Sequence, residues 1–373
     1  MDPVTHAASG AVALLALSRR PATLWSLPIA ALACASPDID LAFIHTPLEF
    51  LQLHRGITHS FAFSPFLGLA LALLAWPMWR KSTPDRWNFG IVWLFCIAMI
   101  WLHIWLDVVT TYGTMVFLPF SAYRVRLNAI YIIDLMITLP LLWAIWRWRT
   151  RRILVLATLA WIFIYPLVGI AANLWHTVQW QARLANDPDY SSRMVVLPDA
   201  FAPLFWRVLY ETAGPNGNLV HDQSIDFLGD TRQAAGAVPA APDILVKKIS
   251  DSSVAGKTYF DFALLPVYAP MPEEDAPKNA PTQADYFMFY DLRFGSGIKF
   301  VQELLSIRPG SEKPPFQLLA EFLAPPTADG NLDDLQLEQI RLRFTDSGRD
   351  SQWHKPLPPE KQSVWEWFVG ISR

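Results

Sequence analysis

Cysteine is nearly absent from this chain: Cys34 and Cys96 are the only two among 373 residues, and both lie inside apolar runs. That excludes a disulfide framework and a Cys-based zinc site, and it leaves both thiols as small buried hydrophobes. A basic stripe with interleaved aromatics is also missing, so no nucleic-acid footprint is expected. Met1 to Gly10 lacks a basic run, and Arg19-Arg20 follow the first apolar stretch rather than precede it, so no cleavable signal peptide is expected. No internal repeat is visible, and no Ser-His-Asp arrangement can be argued from spacing.

What the chain has in abundance is apolar surface. Its mean hydropathy is +0.24, with 17 Trp and 23 Phe, which is high for a soluble protein and diluted for a purely membrane one. Charge divides unevenly along it. Residues 1–174 hold 12 Lys/Arg and 7 Asp/Glu, whereas residues 175–373 hold 18 and 26. Six apolar segments stand in the first part, over 4–18, 22–36, 60–79, 89–110, 129–147 and 152–174. The last four approach the roughly 20 residues a spanning helix needs, and the first two are shorter. The small run Ala7-Ala8-Ser9-Gly10-Ala11 allows close helix packing.

The expected fold is therefore an α-helical multi-spanning membrane bundle of about six apolar helices, over residues 1–174. An exit helix or connector is expected over 175–195, and a mostly β or α+β extracytoplasmic domain over 196–373. Strand patterns at 286–294 and 336–344, and turn signals at Asn216-Gly217 and Pro309-Gly310, carry the β assignment. The Ala/Pro-rich stretches 235–243 and 270–282 read as loops or spacers.

Basic residues occupy alternate connections between the apolar segments. Arg19, Arg20, Arg80, Lys81, Arg86, Arg147, Arg149, Arg151 and Arg152 fall in one set of connections; Arg55, Arg124 and Arg126 fall in the other. The positive-inside rule makes the first set cytoplasmic. The loops 37–59 and 111–128, and everything after 174, then face outward. His6, Asp38, Asp40, His54, His59, His103, Asp107 and Asp134 all fall at the outer ends of their segments. Polar groups at the edge of hydrocarbon are costly unless paired, solvated or bound to a metal, so their meeting at one depth points to a site.

Imidazole and carboxylate together suit zinc first, with manganese or iron as alternatives, and one or two divalent ions. Asp38 and Asp40 flank one residue, a spacing that can bridge two ions or give one ligand and one orienting carboxylate. Gly56 permits a turn that lets His54 and His59 both face inward. His103 and Asp107, four apart, share one helical face. The candidate metal ligands are His6, Asp38, Asp40, His54, His59, His103 and Asp107, with His6 alternatively an interfacial anchor. Asp40, Arg55 and Asp134 are the candidate catalytic residues: a carboxylate to accept a proton, and a cation to steady negative charge. Loop 111–128 is either an interfacial turn or a lid whose Arg124 or Arg126 meets an anion. His45, His176, His221 and His354 have no companions at ligand spacing and read as surface or aromatic-packed.

At these residues the chain resembles the YdjM-like family of LexA-regulated, inner-membrane, metal-dependent hydrolases. The resemblance lies in Thr5-His6, Pro37-Asp38-Ile39-Asp40, His54-Arg55-Gly56-Ile57-Thr58-His59-Ser60, His103 with Asp107, Thr111-Tyr112-Gly113 and Pro119-Phe120-Ser121, in that order over about the first 135 residues. It implies a multi-pass protein of a bacterial inner membrane with a metal-dependent hydrolase activity. The site's expected depth suggests membrane lipids as partners, with a phosphoester or acyl bond of a lipid or lipid-linked molecule as target. The alternative is a non-enzymatic membrane protein using the same cluster for structural metal binding or for ion or proton handling.

Overall fold

The structure is a computed structural model that describes residues 1–80, 87–148, 151–215, 217–272, 275–277, 284–298, 301, 315–323, 332, 334–344 and 349–359. Lys81, Arg86, Arg149, Asn216, Pro309 and Gly310, and part of the 270–282 stretch, lie outside the described residues. The chain forms two compact units. The first comprises Met1–Phe43, Leu53–Trp175 and Pro198–Phe205, and the second Ile44–Gln52, His176–Leu197 and Trp206–Arg373.

Each apolar segment of the first unit becomes a helix: α1 (Pro3–Ala16), α2 (Ser26–Ala35), α4 (Ser64–Trp79), α5 (Phe89–Val108), α6 (Leu135–Arg147) and α7 (Arg152–Leu184). A short α3 (Pro47–Leu53) lies between α2 and α4. Side-chain oxygens start several of them. Asp2 accepts from the Thr5 amide, Asn88 from Ile91 and Asp134 from Met136, each satisfying an amide the helix leaves unbonded. Among the described residues, only α5 and α7 are long and apolar enough by themselves to cross a membrane, or three spans if Pro47–His59 and Ser64–Trp79 count as one broken span. Six full spans are thus more than the helix lengths provide: α1 has 14 residues and α6 has 13. Residues 175–195, expected as an exit helix or connector, hold the last turns of α7, a turn and the start of a strand.

Small residues bring these helices together. A Cβ on Gly10 would lie 2.3 Å from the Ala30 carbonyl oxygen of α2, and one on Gly68 of α4 would lie 2.7 Å from Ile97 of α5. Only glycine permits such approaches. The core between them is apolar throughout, with Val12, Leu14, Ala30, Ala72, Trp79, Val92 and Cys96 fully buried.

The second unit holds two antiparallel-type meanders. One sheet runs in the order β1 (Tyr190–Pro198), β2 (Phe205–Thr212), β3 (Leu219–Asp226), β4 (Thr231–Pro239). The other runs β5 (Pro266–Pro270), β6 (Ala284–Asp291), β7 (Phe316–Leu323), β8 (Gln336–Phe344), β9 (Arg349–Asp350), with α8 (Asp243–Ser252) and α9 (Val254–Phe262) between the sheets in sequence. The strand expected at 336–344 is β8 itself. The stretch 235–243, expected as a loop, supplies the end of β4, whose Ala237 and Val238 pair with His221 and Val220. Phe316 and Phe344 pack edge-on at 4.6 Å, and Phe50 of α3 meets Phe344 at 5.0 Å. His221 stacks on Tyr210 and His176 packs beside Trp206, so both are aromatic-packed, as expected.

Candidate metal centre

The centre lies within the first unit and draws on four elements. Ser36–Ala42 forms a 3-10 turn that continues α2 and carries Asp38 and Asp40. Pro37 suits the start of such a turn because its missing N–H is not needed there. A second short turn, Ile57–His59, presents His59, while α5 supplies His103 and Asp107 and α1 supplies His6. His59 and His103 are wholly buried, Asp107 nearly so, and Asp38 keeps 16% of its side chain exposed.

The turn between His54 and His59 works differently from the sequence expectation. Gly56 keeps a negative φ, and Arg55 instead adopts φ 59°. Glycine is needed at 56 for space, since a Cβ would lie 2.6 Å from the Leu53 carbonyl oxygen. A left-handed non-glycine residue is strained, and strain of this kind gathers at functional sites. Here Arg55 is held by its amide, which donates to Asp40 Oδ2 at 3.1 Å, and by its carbonyl, which accepts from Met115.

Hydrogen-bond partners assign the histidine tautomers. His103 Nδ1 lies 2.8 Å from the Cys34 carbonyl, which can only accept, so Nδ1 carries the proton and Nε2 a lone pair. His59 Nδ1 lies 3.0 Å from Thr58 Oγ1 and 3.5 Å from Asp40 Oδ2. Thr58 in turn donates to Asp40. His59 therefore also presents a bare Nε2. The two bare Nε2 atoms face each other at 3.1 Å.

Two carboxylate oxygens complete the group. Asp38 Oδ1 lies 3.4 Å from His59 Nε2 and 3.6 Å from His103 Nε2; Asp107 Oδ2 lies 3.4 and 3.3 Å from the same atoms. Asp107 Oδ2 is buried without a hydrogen-bond partner. Four acceptors with no proton between them repel one another unless a cation lies among them. A tetrahedral zinc with ligands at about 2.0–2.1 Å has ligand–ligand edges of about 3.3–3.4 Å. These five separations, 3.1 to 3.6 Å, bracket that length. The residues fit a divalent ion.

Asp38 belongs to a second group as well, with Asp40 and His54, whose donor atoms all lie within 4.8 Å of one another. His54 Nδ1 stands 3.3 Å from Asp40 Oδ1. Burial pushes the His54 imidazole pKa down, and the upward pull of Asp40 does not offset it, so the ring is neutral and able to bind a metal.

Other sequence candidates fall around this centre. His6 stacks on His103 at 3.6 Å between ring centroids, and its Nε2 lies 3.3 Å from Asp107 Oδ1. Neither His6 ring nitrogen has a hydrogen-bond partner. Arg55 pairs with Asp107 Oδ1 at 2.8 Å, donates to Thr110 and covers one face of Tyr112 at 4.8 Å; Arg124 lies over the same ring at 5.9 Å. The Met1 amino group also contacts Asp107 Oδ1. Asp134 stands apart. It caps α6 and accepts from Tyr165 Oη, and that hydroxyl also contacts the Ala202 carbonyl. Tyr112 and the Cys34 carbonyl were not anticipated: an interfacial tyrosine looks like any belt aromatic, and a backbone oxygen leaves no mark in a sequence.

Comparison with known proteins agrees with the motifs. Residues 1–176 match the family described as YdjM inner membrane protein, which supports a YdjM-like assignment of that region. A Bacillus subtilis (strain 168) protein described as uncharacterized protein YfhP is 30% identical over 156 residues, covering 40% of this chain and 46% of that one. The chain thus spans about half the length of this curated relative. No solved structure gives a significant match.

Proposed function

We propose that this protein is a membrane-embedded, divalent-metal-dependent hydrolase. The observation that supports the reading best is the convergence of four unprotonated donors, from Asp38, His59, His103 and Asp107, on one buried point. Zinc suits this donor set first, with manganese or iron next. When bound, such an ion supplies an activated water near neutral pH and polarises the scissile group.

The chain's own residues prepare that chemistry. Cys34 fixes the His103 tautomer through its carbonyl, and Asp40 with Thr58 fixes that of His59. Asp40 also keeps a carboxylate beside the donors that can order a water and accept its proton. The Arg55 guanidinium is committed to Asp107 and Thr110, so it acts by offsetting charge rather than by touching substrate. Half-buried Arg124, across Tyr112, is the cation suited to a substrate anion. Asp134, with its cap and tyrosine partners, is left out of the chemistry.

In this reading the protein is multi-pass in a bacterial inner membrane, with the β unit outside and the centre at headgroup depth. A phosphoester or acyl bond of a lipid or lipid-linked molecule is the fitting target. A second reading is favoured by one observation: four protein donors around one point also describe a structural zinc site, which holds helices together without turnover.

The test is metal content of detergent-purified protein beside a His59→Ala/His103→Ala variant, with phosphoester and ester hydrolysis measured on both. Stoichiometric metal and turnover, both lost in the variant, support the hydrolase. Metal without turnover on either class favours the structural reading. No metal after reloading sinks both.

A further inference from the structure

We infer that the centre holds two ions of unequal accessibility bridged by Asp38, the second resting on Asp40 and His54. The inference deepens the hydrolase reading and rests on it. Three observations carry it.

The first is donor arithmetic. Asp38, His59, His103 and Asp107 give one position four protein donors, which fills a tetrahedral ion and admits water or substrate only by expansion to five-coordination. Asp38, Asp40 and His54 give a neighbouring position only three, so one place stays open there without expansion. Asp38 is common to both groups, and a carboxylate with two oxygens can serve two ions.

The second is charge. Asp40 is only 7% exposed, and the groups around it are the Arg55 amide, the Thr58 hydroxyl, and the His54 and His59 rings. The Arg55 guanidinium pairs with Asp107. A buried carboxylate with no counter-charge is costly, and a cation shared with Asp38 removes the cost.

The third is access. His59 and His103 side chains are fully buried, whereas Asp38 keeps 16% and His54 11% exposure. The three-donor position therefore lies on the side from which a substrate oxyanion can complete it. The four-donor ion is the enclosed one and the three-donor ion the exchangeable one. Asp40 takes on a ligand's task in addition to its place beside the water.

The experiment is Mn²⁺ titration of chelator-stripped, full-length protein in detergent, read by equilibrium dialysis and by electron paramagnetic resonance. Two equivalents are expected, the second at least tenfold weaker, with an exchange-coupled spectrum once both are bound. Asp40→Asn and His54→Gln should each keep the tight equivalent, lose the second, and show only isolated Mn²⁺. Saturation at one equivalent in the wild type overturns the inference while leaving the hydrolase reading standing. So does a second equivalent that survives in both folded variants. A chain that binds no Mn²⁺ or Zn²⁺ overturns both.

Discussion

Gly10 offers a test of how the packing of two helices sets the metal centre. A methyl group at this position would sit 2.3 Å from the Ala30 carbonyl oxygen and 2.6 Å from Cys34 Cβ, where ordinary contact begins at 3.4 Å. Relief requires α1 and α2 to part by about 1 Å, and a close-packed interior absorbs that poorly. Overpacking of this kind costs about 1–3 kcal/mol. The displacement has a second effect, because α2 carries the Cys34 carbonyl that accepts from His103 at 2.8 Å. An added ångström takes that bond past useful length. Loss of a partner that orients a ligating histidine lowers metal affinity about 10- to 100-fold. Gly10→Ala should therefore lower both the detergent-solution Tm and the affinity for Zn²⁺, measured by competition with a chromogenic chelator. Gly90→Ala is the control, since its Cβ meets only the Asn88 side chain, at 3.5 Å. It should leave both quantities unchanged, or raise Tm through better helix propensity. A Gly10→Ala protein with wild-type Tm and wild-type zinc affinity would refute this coupling of helix spacing to the centre.

Other outcomes are expected from single contacts. Asp134→Ala removes the α6 cap and the Tyr165 bond, and should cost about 0.5–2 kcal/mol of stability while leaving metal stoichiometry intact; loss of the metal would return Asp134 to the site. Arg55→Ala strips Asp107 of a buried partner, and in metal-free protein should destabilise by about 3–5 kcal/mol, a penalty that shrinks when Zn²⁺ is restored. Saturating the wild type at 100 times Kd should raise stability by about 2.7 kcal/mol over the chelated form, and an unchanged thermal melt would count against metal binding to the folded state. Trp206→Ala opens a cavity in the β unit at a wholly buried position, and should cost about 3–5 kcal/mol there without altering metal content.

The helical half was legible because hydrocarbon-length apolar runs have few other fates, and each of the six segments became a helix. The span count was less legible. Runs such as 4–18 and 129–147 include capping and entry residues, so the helices inside them stop at 14 and 13 residues. The helical continuation of α7 past 174 was legible, because neither Gly nor Pro interrupts the chain between Ala171 and Leu184. In the centre, residue types and helical spacing brought His103 and Asp107 together in advance. The Arg55 backbone, by contrast, takes a conformation that its side chain gives no reason to expect, and the turn it makes is imposed by Met115 and Asp40. β8 was readable from the alternation of Ile340, Leu342 and Phe344, whereas the Ala-rich end of β4 was not, because alanine marks neither face of a strand.

The two units are interleaved along the chain. The turn between β1 and β2, Pro198–Phe205, belongs to the helical unit, where Ala202 meets Tyr165; the stretch Ile44–Gln52 belongs to the β unit, where Phe50 meets Phe316 and Phe344. A gene truncated after codon 176 would therefore not deliver a finished helical unit, and the remainder would lack a piece of its own aromatic cluster. Swapping halves between relatives would meet the same obstacle unless both short segments travelled with their owners. Recombination at the obvious boundary would therefore part each short segment from the unit it packs in.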